Sequence, residues 1–234
     1  MNKLFKIFIA ILIFLVVIIG IIMLCYIYNP TYDITEKISQ NDIQNIMNKR
    51  LSVENVYIKH TREDKIGDMD NLVLYSEFFV KDNMVKVVET TESGKRKIFQ
   101  ENRDNGEVIW ILEPQEIVIK YQNKMNAFDL VKGYDYLNLE EDVFSSETYT
   151  NLKYLGKTKI NNRNVIAVLL ERKDMVKEFI YIDEETGFIL KHISKNPFIR
   201  YTSVAEIEVG KVTDDDVRMI DYESVYPNYR IKDM

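Results

Sequence analysis

The sequence predicts an α+β domain built on one strongly curved antiparallel sheet, set behind a single membrane-spanning helix. Three observations predict it. The chain opens on a long apolar run without charge. Beyond residue 50 the hydrophobic period changes to two and is broken by short turns. Helical spacing is confined to two stretches, near residues 34–50 and 125–149.

The apolar run, Ile7 to Tyr28, has 22 residues and no charge. At about 1.5 Å per residue such a helix is roughly 33 Å long, enough to cross a hydrocarbon core of about 30 Å. No small-x-small cleavage site follows it, since Met23, Leu24, Tyr26 and Ile27 are all large. It therefore reads as a retained signal anchor over residues 1–28, with 29–33 as a stalk and 34–234 as the exported domain. Lys3 and Lys6 precede the span and place the N-terminus in the cytoplasm. Cys25 is the one cysteine, which excludes an intrachain disulfide. It has the position of a lipoprotein acylation site, but Leu24 stands where a small residue is usual. The plainer reading is a small hydrophobe within the membrane helix.

Past the anchor the chain is acidic. All 37 Asp and Glu lie there, against 29 of the 31 Lys and Arg, for a formal charge of -8. That balance argues against nucleic acid or an anionic lipid surface as partner of the whole domain, while leaving room for a local basic patch.

The elements follow in order. Apolar residues stand at Ile34, Ile38, Ile43, Ile46 and Met47; the last three, with Ile38 a turn or so earlier, lie on one helical stripe, with a break expected near Ser39. Strands are expected in "VENVYIKHT", on both sides of the Lys81-Asp82-Asn83 turn, after "ESGK" and "RDNG", and on both sides of "EPQE". Residues 125–149 read as one or two short helices joined at Gly133. Strands resume in "NLKYLGKTKI", "NRNVIAVLLER", the hairpin around Glu184-Glu185-Thr186-Gly187, and "IRYTSVAEIEVGKV". The tail "DYESVYPNYRIKDM" reads as a short edge segment. An open sheet of roughly ten strands must curl strongly or close. Helices are expected to cover its concave face.

The inventory of reactive groups is thin. His60 and His192 stand apart inside expected strands, without metal-ligand spacing, and read as exposed strand residues. There is no G-x-S-x-G motif, no phosphate-binding glycine loop and no free nucleophilic cysteine outside the anchor. "TDDDV" at 213–217 fits a turn entering a short helix better than a calcium loop, and "LEEDV" at 139–143 fits a solvated helix face. "GKRK" at 94–97 with Arg103 is a basic hairpin tip, read either as protection of a strand edge or as a docking patch for an acidic partner. No catalytic residue, metal or cofactor is expected. In "VIWIL" both faces of the strand are apolar, which points to cover on both sides and to Trp110 as a core residue. The functional alternative is a cavity under the helices, lined by Trp110, Met125, Phe128, Leu130 and Tyr134.

The order of these motifs resembles the LolA-like superfamily. The match rests on Met84 to Glu89, then Asn105, Gly106, Trp110, Leu112 and Pro114, then "YLGKTKINNRNVIAVLLER", "FIYIDEETGFILK" and "YTSVAEIEVGKVTDDDV", with Val217 where the family commonly has Phe. It covers roughly residues 34–218. It implies an incomplete β-barrel whose cavity holds acyl chains in carriers and serves as a sensor in signalling relatives. With its leading apolar segment and Tyr-rich tail, the chain is similar to the clostridial germination lipoproteins related to GerS. That likeness implies a role in spore germination as partner of a cortex-modifying amidase. Two functions are therefore carried forward: a non-catalytic, membrane-tethered protein-binding module, and a lipid or acyl-chain binder.

Overall fold

A computed structural model describes residues 32–33, 37–67, 72–122, 149–174, 176–195 and 199–233. The expected membrane helix, Cys25, "LEEDV" and the expected short helices with Met125, Phe128, Leu130 and Tyr134 lie outside the described residues. Among the described residues no helix is long and apolar enough to cross a membrane.

Helix α1 spans Gln40–Asn48. Ser39 starts it: its Oγ accepts from the Asp42 backbone N–H at 3.2 Å, and the Asp42 carboxylate accepts from the Ser39 N–H at 3.0 Å. This reciprocal cap is the physical cause of the break expected near Ser39. A 3-10 turn over Lys49–Ser52 then leads into the strands.

Among the described residues twelve strands form one sheet. They are β1 (Asn55–Ile66), β2 (Leu72–Lys81), β3 (Met84–Thr90), β4 (Arg96–Asn102), β5 (Glu107–Leu112) and β6 (Ile117–Gln122), then β7 (Tyr149–Ile160), β8 (Arg163–Arg172), β9 (Lys177–Asp183), β10 (Ile189–Lys195), β11 (Ile199–Val209) and β12 (Arg230–Asp233). The spatial order is β12-β6-β5-β4-β3-β2-β1-β11-β10-β9-β8-β7. Two meanders, β1 to β6 and β7 to β11, are joined by the β1–β11 pair. The turns use the expected chemistry: Asp82 (φ 50°), Glu116 (φ 54°), Asn161 (φ 49°) and Asn162 (φ 64°) take the left-handed conformation that closes tight turns.

The tail does end on an edge, but β12 pairs parallel to β6, through Arg230–Ile117 to Asp233–Lys120. At the other edge Asp33 exchanges two 2.8 Å backbone hydrogen bonds with Lys157 of β7. The stalk thereby ties itself to the free side of the sheet. Gly156 makes this approach possible, since a Cβ there would stand 2.7 Å from the Asp33 carbonyl oxygen and from Tyr32 Cβ.

Following partners across the strands separates the two faces. The inner face is the one that carries α1: Ile43 and Met47 pack on Ile166, Val168, Leu170, Ile180, Ile182 and Ile189. The sequence reading gathers the helices on one face, but the short C-terminal helices α2 (Asp214–Val217) and α3 (Tyr222–Val225) belong to a segment on the outer face. There Met219, Ile220, Tyr222, Tyr226 and Tyr229 cover Val88, Ile98, Ile109, Ile111 and Val118. The reason is composition: β3 to β6 are apolar on their outer face too, and that surface needs cover of its own. α2 is capped by Thr213 with Asp216.

Candidate functional site

The inner face is organised by cross-strand rows. One runs Ile207–Ile58–Phe78–Val87–Phe99–Trp110–Ile119 over seven adjacent strands. Ile58 and Phe78 are fully buried, whereas Trp110 is 40% exposed. Trp110 is thus not the core residue that its apolar strand suggested. Ile109 and Ile111, facing the other way, are buried under the C-terminal segment, while on Trp110's own face Val108 is fully buried and Trp110 is not. Trp110 meets Phe99 edge-on, with ring centroids 6.5 Å apart. Of the five residues expected to line a cavity it alone falls among those described.

Toward the ends of β9, β10, β11 and β1 the same face turns polar. Two neighbouring rows cross these strands, Glu178–Ser194–Tyr201–Asp64 and Ile180–His192–Ser203–Arg62. Glu178, His192, Ser194 and Ser203 are all buried. The Tyr201 hydroxyl lies 3.1 Å from His192 Nε2, and Glu178 Oε2 lies 3.5 Å from that nitrogen. The Arg62 guanidinium stacks 4.7 Å above the Tyr201 ring and donates to Asp64 at 2.7 Å. One row further along, His60 and Ser76 are directly paired and also buried.

Both histidines therefore depart from the exposed positions expected of them. For His60 the signal was present, since it shares period-two parity with Val56 and Ile58 and so belongs on the apolar face. Burial, and secondarily the charge of Arg62, pushes its pKa down to about 3, so the ring is neutral at pH 7. His192 was not readable from alternation, because a register shift between Ile189 and Lys191 reverses the strand's parity.

Two other places gather polar groups. A groove of about 670 Å³ lies where the stalk meets the sheet, lined by Tyr32, Asp33, Lys157, Thr158, Asn164 and Glu184. A neighbouring one of about 430 Å³ shares Asn164 and Glu184 and reaches Arg163 and Asp183. Asp183 accepts from Arg163 Nε (3.0 Å) and Nη2 (2.8 Å), and from the Thr186 N–H (2.9 Å) and hydroxyl (2.6 Å). Burial acts to raise its pKa, but these four donors hold the carboxyl below its usual range. At the basic hairpin tip Arg96 is already engaged, donating to Glu113 at 2.7 Å and to the Tyr226 hydroxyl at 3.3 Å. It serves to hold the C-terminal segment. So does Gln100, which is fully buried, donates to the Arg218 carbonyl at 2.8 Å and accepts from the Ile220 N–H at 2.9 Å. Among the described residues no cluster of three or more His, Cys, Asp or Glu side chains is placed to hold a metal ion.

No protein-family model matches the sequence, and no curated protein matches it. Among solved structures the fold is similar to that of an uncharacterised conserved protein from Thermus thermophilus, with a TM-score of 0.50 and 9% identity over 84% of this chain and 100% of that one. It is also similar to the MucA/MucB complex structure from Pseudomonas aeruginosa (TM-score 0.48, 12% identity, 76% of this chain and 60% of that one). A LolA superfamily protein from Nitrosomonas europaea gives a TM-score of 0.36 and 8% identity over 80% of this chain and 100% of that one. The likeness to the Thermus protein is one of fold.

Proposed function

We propose that this chain is a membrane-anchored, extracytoplasmic accessory protein that binds another exported protein through a LolA-like half-barrel and performs no chemistry of its own. The observation that carries the reading is the buried polar belt on the inner face. A groove for an acyl chain is lined by apolar side chains, whereas here Glu178, His192, Ser194, Ser203, His60 and Ser76 are buried across five strands of the face that would hold it. Each buried polar group in such a groove would have to stay hydrogen-bonded beside hydrocarbon, which is costly. The leading apolar segment and Tyr-rich tail, which resemble those of the GerS-related germination lipoproteins, support a partner among cortex-modifying enzymes and a place in spore germination.

The test is affinity purification of the full chain, solubilised in mild detergent from sporulating cells, with both proteins and lipids quantified. An exported cell-wall enzyme enriched over the untagged control, with no stoichiometric lipid, is the expected result. A stoichiometric acylated ligand with no protein partner would overturn the reading in favour of an acyl-chain carrier.

A further inference from the structure

Where β9, β10, β11 and β1 end, the outer face carries one unbroken line of cations. Lys177 is directly opposite Lys195, Lys195 is opposite Arg200, and Arg200 is opposite Lys65. All four are exposed. Adjacent strands lie about 4.8 Å apart, so the line is roughly 14 Å long. Like charges directly opposite one another destabilise a sheet. This chain accepts that three times in succession, although it carries a net charge of -6 overall.

Among the described residues local relief is slight. Lys177 reaches Glu171 at 3.3 Å, and Lys195 lies 4.8 Å over the ring of Phe179. Lys65, Lys195 and Arg200 make no ion pair with any other described residue. Among the described residues two acids of this face lie near the row, Glu171 opposite Lys177 at its end and Glu63 one row inward, while Glu77, Glu206 and Glu208 stand opposite Lys59 and Tyr57, nearer the other end of β1.

From this we infer that the Lys177–Lys195–Arg200–Lys65 row docks an acidic segment of an exported polypeptide; the inference rests on the protein-binding function proposed above and narrows its partner. The row is a single line, not a field. The next row inward, Phe179–Ile193–Thr202–Glu63, has no cation and includes a carboxylate. A line of cations backed by Glu63 matches a line of carboxylates better than the plane of charge that a bilayer presents. Its position agrees. The stalk joins the sheet at Lys157, level with Ile166 and Ile182, and Lys177 lies five positions further along β9, roughly 16 Å away. In an anchored chain the row is therefore displaced from the point of attachment.

The experiment uses the full chain in nanodiscs of zwitterionic phosphatidylcholine, with a fluorescein-labelled decaglutamate as probe and anisotropy as readout. The triple variant Lys65→Gln, Lys195→Gln, Arg200→Gln is compared with Lys159→Gln, Lys211→Gln, Lys232→Gln, which changes the net charge equally at exposed sites elsewhere. Three screened contacts, each worth a factor of about two, give a loss of roughly tenfold in the row variant. The control is expected to lose less than about twofold, and the melting temperature of the row variant to be unchanged or raised. Equal losses in the two variants, or no loss in the row variant, would overturn the inference. So would tighter binding of the row to phosphatidylglycerol vesicles than to the peptide. If the row variant still recovers the same partner from sporulating cells as the unaltered chain does, this inference fails while the proposed function stands.

Discussion

Replacing Asp183 by Asn tests the polar frame that holds the β9–β10 hairpin. The carboxylate is 1% exposed and accepts four hydrogen bonds, two from Arg163 and two from Thr186. Removing one charge from a buried pair costs about 3–5 kcal/mol. Arg163 keeps 25% of its side chain exposed and has Glu185 at 3.1 Å, so part of that loss is recovered. The expected cost is about 2–3 kcal/mol, or roughly 5–10 °C in melting temperature for a domain of this size. The native carboxyl lies below its ordinary value, which is about 3.9 in the unfolded chain. The stabilisation is therefore complete above that pH and is lost as pH falls through the native pKa. Thermal unfolding followed by circular dichroism from pH 7 to pH 2.5 should show a constant gap between parent and Asp183→Asn down to about pH 4, closing below it. A gap that persists unchanged at pH 2.5, or no gap at pH 7, would refute the reasoning.

Other residues give sharper local tests. Gly187 has φ +76°, and a Cβ there would stand 2.2 Å from the Ile46 carbonyl oxygen, so Gly187→Ala should cost more than about 2 kcal/mol in urea unfolding and loosen α1; a change within about 0.5 kcal/mol would count against this docking. Phe78→Ala should cost about 3–5 kcal/mol, whereas Trp110→Ala, at the exposed end of the same row, should cost under about 2 kcal/mol. Iodide should quench the single tryptophan, and a protected Trp110 would contradict its placement. His60, with a native pKa of about 3 against about 6.5 unfolded, makes stability fall as pH drops between those values, by at most about 1.4 kcal/mol per unit. The urea midpoint of the parent should therefore fall faster than that of His60→Leu between pH 6.5 and pH 4.5; equal slopes would discard the buried neutral imidazole.

The meanders were legible because their turns are written in the chain. Asp82 and the Asn161-Asn162 pair sit where positive φ is needed, and the strands between turns alternate. Ser39 announced the start of α1 through its cap with Asp42. The β1–β11 pairing and the parallel return of β12 join residues more than 100 positions apart, and no local pattern encodes such closures. The site was less legible for the same reason. Trp110 drew attention because it is rare, while the belt and the cationic row are assembled by register from residues scattered between His60 and Ser203. "VIWIL" also misled: on the inner face of β5 Val108 is fully buried while Trp110, two residues on, is 40% exposed, so apolarity on both faces did not mean cover along the whole strand.

The two surfaces are not independent, because the same dipeptides build both. Lys177-Glu178, Ser194-Lys195, Arg200-Tyr201 and Asp64-Lys65 each place one residue in the inner belt and one in the outer row. What sets the parity in β10 is the bulge after Ile189. Ile189 faces inward opposite Ile182, and simple alternation would then send Lys191, Ile193 and Lys195 inward as well. The extra residue, Leu190, reverses this, so that His192 and Ser194 turn in and Lys195 turns out. Without it the row would lose its second cation to the interior, where an unpaired ammonium is not tolerated, and Glu178 would lose His192. Burial agrees with the reversal: Ile189 and Leu190 are both buried in succession, after which His192 and Ser194 are buried while Lys195 is exposed. One inserted residue thus holds a polar interior and a charged exterior in register across four strands.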